Sequence, residues 1–162
     1  LPHSKVFLVS LDNKAAGVLA IAPTPFHDDG AIDWTSLDRL VDFYFEVGCD
    51  GLTVLGVLGE AGKLDAGEAL AVAQRVITRA SGKPVIVGVS SPGFAAMRAL
   101  ARGVMDAGAA GVMINPPGTL RTDDQIAGYF RGAVEAIGAD VPWVLQDFPQ
   151  VTNVVMGPSV IR

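Results

Sequence analysis

The chain has 162 residues, half of them apolar, with 19 glycines, few aromatics and a formal net charge of −5. This is the composition of one α/β domain long enough to bury a substantial core, and not that of a disordered or all-β chain. No run of about five basic residues occurs, which argues against nucleic acid and anionic membranes as partners.

Cys49 is the only cysteine. An internal disulfide is thereby excluded, which fits a reducing, cytoplasmic compartment, and the residue reads as a small core side chain. No uncharged run approaches the roughly 18 residues of a membrane span. Lys5–Ser10 is too short for a signal-peptide core. The sequence begins without Met and stops at Val160-Ile161-Arg162 inside a helical pattern, so it is expected to be part of a longer protein.

Residues 1–16 read as a polar-flanked lead-in with a short extended segment around Val6–Val9. Gly17–Ala22 is a continuous apolar run, the signature of a strand buried on both faces, and Pro23-Thr24-Pro25 must end it. Asp28-Asp29-Gly30 is a turn. Asp33 or Thr35 caps a helix whose apolar positions Leu37, Leu40, Val41, Tyr44 and Phe45 recur at helical spacing, and Gly48 stops it. Gly51–Leu55 is the second strand. Glu68–Ile77 reads as helix with Ser81-Gly82 as its stop, and Pro84–Val89 as the third strand. A helix follows from Phe94 to Asp106, stopped by Gly108. Gly111–Ile114 is the fourth strand, closed by Asn115-Pro116-Pro117-Gly118. Thr122 or Asp123 caps a helix that runs to about Ile137. Val141–Leu145 is the fifth strand, broken at Pro149, and Pro158 opens the last helix.

Strands therefore begin near residues 17, 51, 84, 111 and 142, a recurrence of about 30 residues that marks βαβ units with parallel strands and right-handed crossovers. An open doubly wound sheet and part of a (β/α)₈ barrel both fit this pattern. A full barrel needs roughly 250 residues and eight units, and this chain supplies five.

One stretch stands out for chemistry. Gly56-Val57-Leu58-Gly59-Glu60 follows the second strand; its glycines permit a tight turn and close approach to a ligand, and free backbone N–H groups in such a turn can hold an anion such as a carboxylate. The same pentapeptide also fits a plain βα turn with a helix-start glutamate.

With the units in register, the chain resembles the dihydrodipicolinate synthase / N-acetylneuraminate lyase family of class I aldolases. The matching residues are Thr24-Pro25-Phe26, Gly30, Ile32-Asp33, Leu37, Leu40-Val41, Gly48, Asp50-Gly51-Leu52, Gly56, Gly59-Glu60, Leu64, Glu68, Pro84–Gly88, Ala107-Gly108-Ala109, Pro116 and Pro149. The match runs from about Gly17 to Arg162. It implies a (β/α)₈ TIM barrel of which residues 17–162 form roughly the first five units.

The resemblance also implies a lyase that joins a lysine at the end of the sixth strand to a 2-oxo acid as a Schiff base. A tyrosine relays protons, the substrate carboxylate rests on the GxxGE turn, and the full-length protein is a homo-oligomer. Val57, Leu58, Gly59, Glu60 and Thr24 are then the substrate-binding residues. Here the pattern departs from the family. The hydroxyl pair of the turn is Val57 and Leu58, and the relay tyrosine aligns with Gln146, followed by Asp147; these two are the catalytic candidates. A frequent arginine aligns with Val151, and an aromatic pair with Pro117 and Gly118. The lysines Lys5, Lys14, Lys63 and Lys83 end no strand, so the Schiff-base lysine is absent and this polypeptide alone is expected to be inactive. The alternative reading is a repurposed barrel that binds a small ligand or partner subunits without catalysis.

Strand C-terminal ends, where barrel sites lie, also offer Ser90, Ser91 and Asn115. Asn115 before two prolines reads as turn chemistry. Glu60 reads as a helix-start carboxylate bracing the turn or as an acid/base group, and Asp147 as a base, a polar anchor or a structural acceptor. His3 and His27 show no ligand spacing, and no phosphate-loop or dinucleotide fingerprint occurs. No metal or cofactor is therefore expected, and the expected partner is a small carbonyl substrate.

Overall fold

Five parallel strands pair in the order β1-β2-β3-β4-β5 in the computed structural model, which describes residue 12 and residues 14–162. They are β1 (Leu19–Ile21), β2 (Gly51–Val54), β3 (Val85–Gly88), β4 (Gly111–Ile114) and β5 (Trp143–Leu145). Between them run α1 (Trp34–Glu46), α2 (Ala66–Arg79), α3 (Phe94–Asp106) and α4 (Asp123–Ile137), followed by the short α5 (Pro149–Thr152) and α6 (Pro158–Ile161). The extended segment expected around Val6–Val9 lies outside the described residues.

The strand order settles the choice between the two architectures. A doubly wound sheet reverses its order at a switch point, whereas here each strand pairs with the next in sequence and the helices α1 to α4 pack as consecutive neighbours. This is barrel winding, with register Ile21 to Thr53, Thr53 to Ile86, Gly88 to Met113 and Met113 to Val144. Alternation along the strands divides their side chains. Leu52, Val54, Val85, Val87, Val112 and Ile114 join the core beneath the helices, while Thr53, Ile86 and Met113 are buried on the other face, the barrel interior.

Helix ends follow their capping chemistry. The Asp33 carboxylate accepts from the Ser36 N–H at 2.9 Å and opens α1, so Asp33 rather than Thr35 is the cap. The Ser36 hydroxyl, and after it this backbone N–H, hold the Asp33 carboxyl below the usual range. Leu37 and Val41 turn inward and are fully buried, each contributing about 1.5–3 kcal/mol. Asp65 and Glu68 form a reciprocal capping box, which starts α2 two residues before the expected Glu68 and carries it to Arg79. Thr122, not Asp123, caps α4, in a second box with Gln125. Pro149 opens α5 and Pro158 opens α6, each in the first turn.

Two expectations are corrected. The apolar run Gly17–Ala22 yields only a three-residue strand that is not buried on both faces: Val18 is 62% and Ile21 42% exposed. Here β1 pairs only with β2, so among the described residues no strand pairs with its other edge. Cys49 is half-buried and lies outside the core cluster.

Candidate functional site

The end of β2 delivers the chain into the Gly56–Glu60 turn. Leu55 and Glu60 bracket it in the left-handed region, at φ 56° and 53°; that conformation disfavours a non-glycine residue by about 1–2 kcal/mol. Strain of this kind gathers at ligand sites. Gly59 has no room for a side chain, since a Cβ there would stand 2.9 Å from the Leu55 nitrogen and 3.3 Å from the Ala22 carbonyl oxygen.

The Glu60 N–H closes the turn onto the Val57 carbonyl at 3.1 Å. Those of Gly56, Val57, Leu58 and Gly59 donate to no acceptor among the described residues. They form the set of free donors that an anion needs. Val57 is half-buried and Leu58 is 55% exposed, so neither adds a polar group. A cleft of about 390 Å³ opens beside the turn, lined by Gly56, Val57, Glu60, Ser90 and Asn115 among others.

Thr24 is buried, and its hydroxyl donates to the Gly59 carbonyl at 2.7 Å. The loop after β1 thus braces the turn from below, and the Thr24 hydroxyl proton is engaged within the protein. Asn115 donates its backbone N–H to Ser90 Oγ at 2.9 Å and its amide to the Pro116 carbonyl at 3.3 Å, which is turn chemistry joining the ends of β3 and β4.

The carboxylate of Glu60 forms an ion pair with Lys63, and both side chains are well exposed. Glu60 occupies the cap position of a 3₁₀ turn, Ala61–Lys63, without any side-chain capping bond, so its backbone, not its carboxylate, shapes the site. Asp147 is exposed.

Its neighbour Gln146 lies on the inner side. The Gln146 N–H continues the ladder onto the Ile114 carbonyl at 2.9 Å. Its amide nitrogen reaches to 3.8 Å from the point a Cβ on Gly56 would occupy, beside the Met113 methyl group at 2.9 Å from that point. Turn and glutamine, 90 residues apart in sequence, therefore meet across the barrel interior. Met113 and Thr53 belong to this interior as well; strand alternation around β2 and β4 is the sequence signal that finds them.

Lys83 sits before β3, far from the strand ends, with its ammonium 4.4 Å from the centre of the Phe45 ring and 3.5 Å from the Cys49 carbonyl. His27, Asp28 and Asp29 are exposed on the loop after β1. Among the described residues no three His, Cys, Asp or Glu side chains gather as a metal site would require, and no helix is long and apolar enough to cross a membrane.

Comparison with known proteins adds three relationships. The chain is 32% identical over 147 residues to a 4-hydroxy-tetrahydrodipicolinate synthase of Nitrosococcus oceani, covering 90% of this chain and 50% of that one. The structure of a dihydrodipicolinate synthase from Rhodopseudomonas palustris superposes with a TM-score of 0.90 at 70% identity, over 95% of this chain and 51% of the other. A chloride-inhibited dihydrodipicolinate synthase from Acinetobacter baumannii, solved with pyruvate, superposes with a TM-score of 0.81 at 26% identity, over 89% and 50% of the two chains. The chain thus spans about half the length of the relatives it matches. The profile of the Dihydrodipicolinate synthetase family matches residues 14–162, and with the barrel winding and the braced GxxGE turn it shows that the chain belongs to that family.

Proposed function

We propose that this chain is the substrate-carboxylate half of a class I aldolase-type lyase that acts on a 2-oxo acid or related carbonyl compound. The observation that carries this reading is the Gly56–Gly59 turn, whose four N–H groups donate to no acceptor among the described residues, braced by Thr24 and with Gly56 against Met113 and Gln146 of the interior. A carboxylate seated on those donors places its 2-oxo carbon toward the interior, where a strand-end lysine of the complete barrel can reach it. The amine adds to that carbon and water leaves. In cleavage the resulting iminium accepts the electron pair of the C–C bond that breaks, and the enamine so formed takes a proton back at carbon. In synthesis the iminium first loses that proton, and the enamine gives its pair to the bond that forms. Hydrolysis of the iminium then returns lysine and product.

The lysine is not among this chain's strand ends, so the chain supplies binding and shape while the nucleophile comes from the sixth strand of the full-length protein. That protein is expected to be a cytoplasmic homo-oligomer. Pro117 and Gly118 stand where the family carries the aromatic pair of its subunit link, and Gly118 packs back against the Thr152 carbonyl: a Cβ there would lie 2.8 Å from that oxygen.

The test is borohydride trapping of the full-length protein with a panel of 2-oxo acids that includes pyruvate, read as a mass increase on one lysine. No adduct with any member overturns the lysine chemistry. Val57, Leu58 and Gln146 favour a second reading, a barrel that retains the fold and binds a small ligand or partner subunits without catalysis. Turnover of a pyruvate-type substrate by the unmodified protein excludes that reading.

A further inference from the structure

The cleft of about 390 Å³ beside the Gly56–Glu60 turn is also walled by residues that follow the next two strands, Ser90 after β3 and Asn115 after β4. The end of β3 lies hard against the turn, since a Cβ on Gly88 would stand 3.2 Å from the Gly56 nitrogen. Two residues further on, Ser90 is exposed and lines the cleft. Its Oγ accepts the Asn115 N–H at 2.9 Å. That bond fixes where the oxygen stands, and the hydroxyl keeps a proton to donate.

The segment that carries Ser90 is held from α4. Tyr129 is buried and donates its hydroxyl to the Ser91 carbonyl at 2.9 Å. The Phe94 ring, which opens α3, packs on the Tyr129 ring with centroids 5.7 Å apart. Gly132 makes room for it, as a Cβ there would lie 2.7 Å from the Phe94 ring. A donor held in this way loses little freedom when it meets a ligand. The other polar side chains of the cleft are engaged. Glu60 and Lys63 pair with each other, and the Asn115 amide donates to the Pro116 carbonyl at 3.3 Å. Ser90 carries the one hydroxyl among the residues that line the cleft.

We infer that Ser90 is a substrate-binding residue whose hydroxyl donates to the carboxylate seated on the backbone N–H groups of the Gly56–Gly59 turn. It supplies the side-chain donor that Val57 and Leu58 lack. The role rests on the turn holding a carboxylate, as proposed above, and not on the lysine chemistry. A hydrogen bond to an anion is shorter and stronger than one between neutral groups. The Asn115 N–H, the Ser90 hydroxyl and the carboxylate then form a chain in which each bond polarises the next.

The experiment measures equilibrium binding of pyruvate, 2-oxobutanoate and 2-oxoglutarate to the full-length protein by calorimetry. For the acid that binds most tightly, Ser90→Ala should weaken binding at least about tenfold, the ratio that one hydrogen bond to a charged group provides. Ser90→Cys keeps the size and leaves only a weak donor, so it should weaken binding in the same direction. Adding Val57→Thr to Ser90→Ala should recover most of the loss, because Val57 lines the same cleft and threonine returns a hydroxyl to it.

Unchanged affinity in Ser90→Ala overturns the inference, and so does binding of none of the three acids. A loss that Val57→Thr leaves in place also overturns it, since Ser90 then acts only by holding Asn115. Where Ser90→Ala is insoluble, Ser90→Cys decides, and unchanged affinity there overturns the role. Borohydride trapping separates this role from the aldolase reading. Weaker binding in Ser90→Ala, with no covalent adduct in the unmodified protein, removes the lysine chemistry and keeps Ser90. An adduct with undiminished affinity in Ser90→Ala does the reverse.

Discussion

The Thr24 hydroxyl donates to the Gly59 carbonyl at 2.7 Å in a buried setting, tying the loop after β1 to the turn after β2 across 35 residues of sequence. Thr24 is expected from sequence to touch substrate, and in the structure its hydroxyl is engaged in bracing the Gly56–Glu60 turn. Replacing it with valine keeps the shape, removes the donor and leaves a buried carbonyl unpaired. Thr24→Val should destabilise the protein by about 1–3 kcal/mol in urea unfolding, and Thr24→Ser should recover most of the loss. In the full-length protein Thr24→Val should also weaken carboxylate binding through disorder in the turn.

Gly88, at the end of β3, lies against the backbone of Leu55, so close that a Cβ would stand 2.0 Å from the Leu55 carbonyl oxygen and 3.2 Å from the Gly56 nitrogen. The contact is with backbone, which cannot step aside without unseating the turn. Gly88→Ala should therefore reach or exceed the upper end of overpacking penalties, about 3 kcal/mol. Denaturant unfolding checks this, with insoluble expression as the extreme outcome.

On the outer surface, Arg75 forks onto Asp38 at 2.8 and 2.7 Å, and Arg79 forks onto Asp42 while also approaching Asp38 at 3.3 Å. Hydrogen bonds from these guanidinium groups hold both carboxyls below their usual value and push the arginines up. A carboxyl lowered in the folded state contributes stability above its ordinary value of 3.8, and that contribution is lost as pH falls through the lowered value. Arg75→Gln should be less stable than the unmodified protein near neutral pH, with the gap closing as pH falls below that range and also narrowing in high salt. Paired urea titrations across pH and salt measure both trends.

The outer strands β1 and β5 each pair on one side only, and Val18 and Ile21 of the β1 run are exposed. Unpaired edges with apolar side chains promote association. The 162-residue polypeptide alone is expected to self-associate; a monodisperse monomer with a cooperative thermal transition, seen by light scattering and calorimetry, would refute this.

The order of elements, the boundaries of α3 and β4, and the position of the GxxGE turn were all legible in the sequence, because their signals are local: proline and glycine punctuation, capping residues, and the period of apolar side chains. Family membership was legible for the same reason, through motifs in a fixed order. Even so, the local code left an open sheet and a barrel equally good, since both use the same βαβ unit. The family resemblance implied the barrel, and the pairing of each strand with its successor bears that out.

The directions of side chains were decided by tertiary packing. The left-handed backbone of Glu60 and its ion pair with Lys63 were not legible in the pentapeptide. The bond from the Thr24 hydroxyl to the Gly59 carbonyl joins two segments that no local pattern connects. For Gly56–Glu60 and Gln146, the sequence identified a turn and a glutamine in distant segments, and the winding of the strands brought them face to face. A hydrogen bond depends on atoms a few ångströms apart, and in this chain the atoms that matter are brought together by the winding of the sheet and not by neighbouring positions along the backbone.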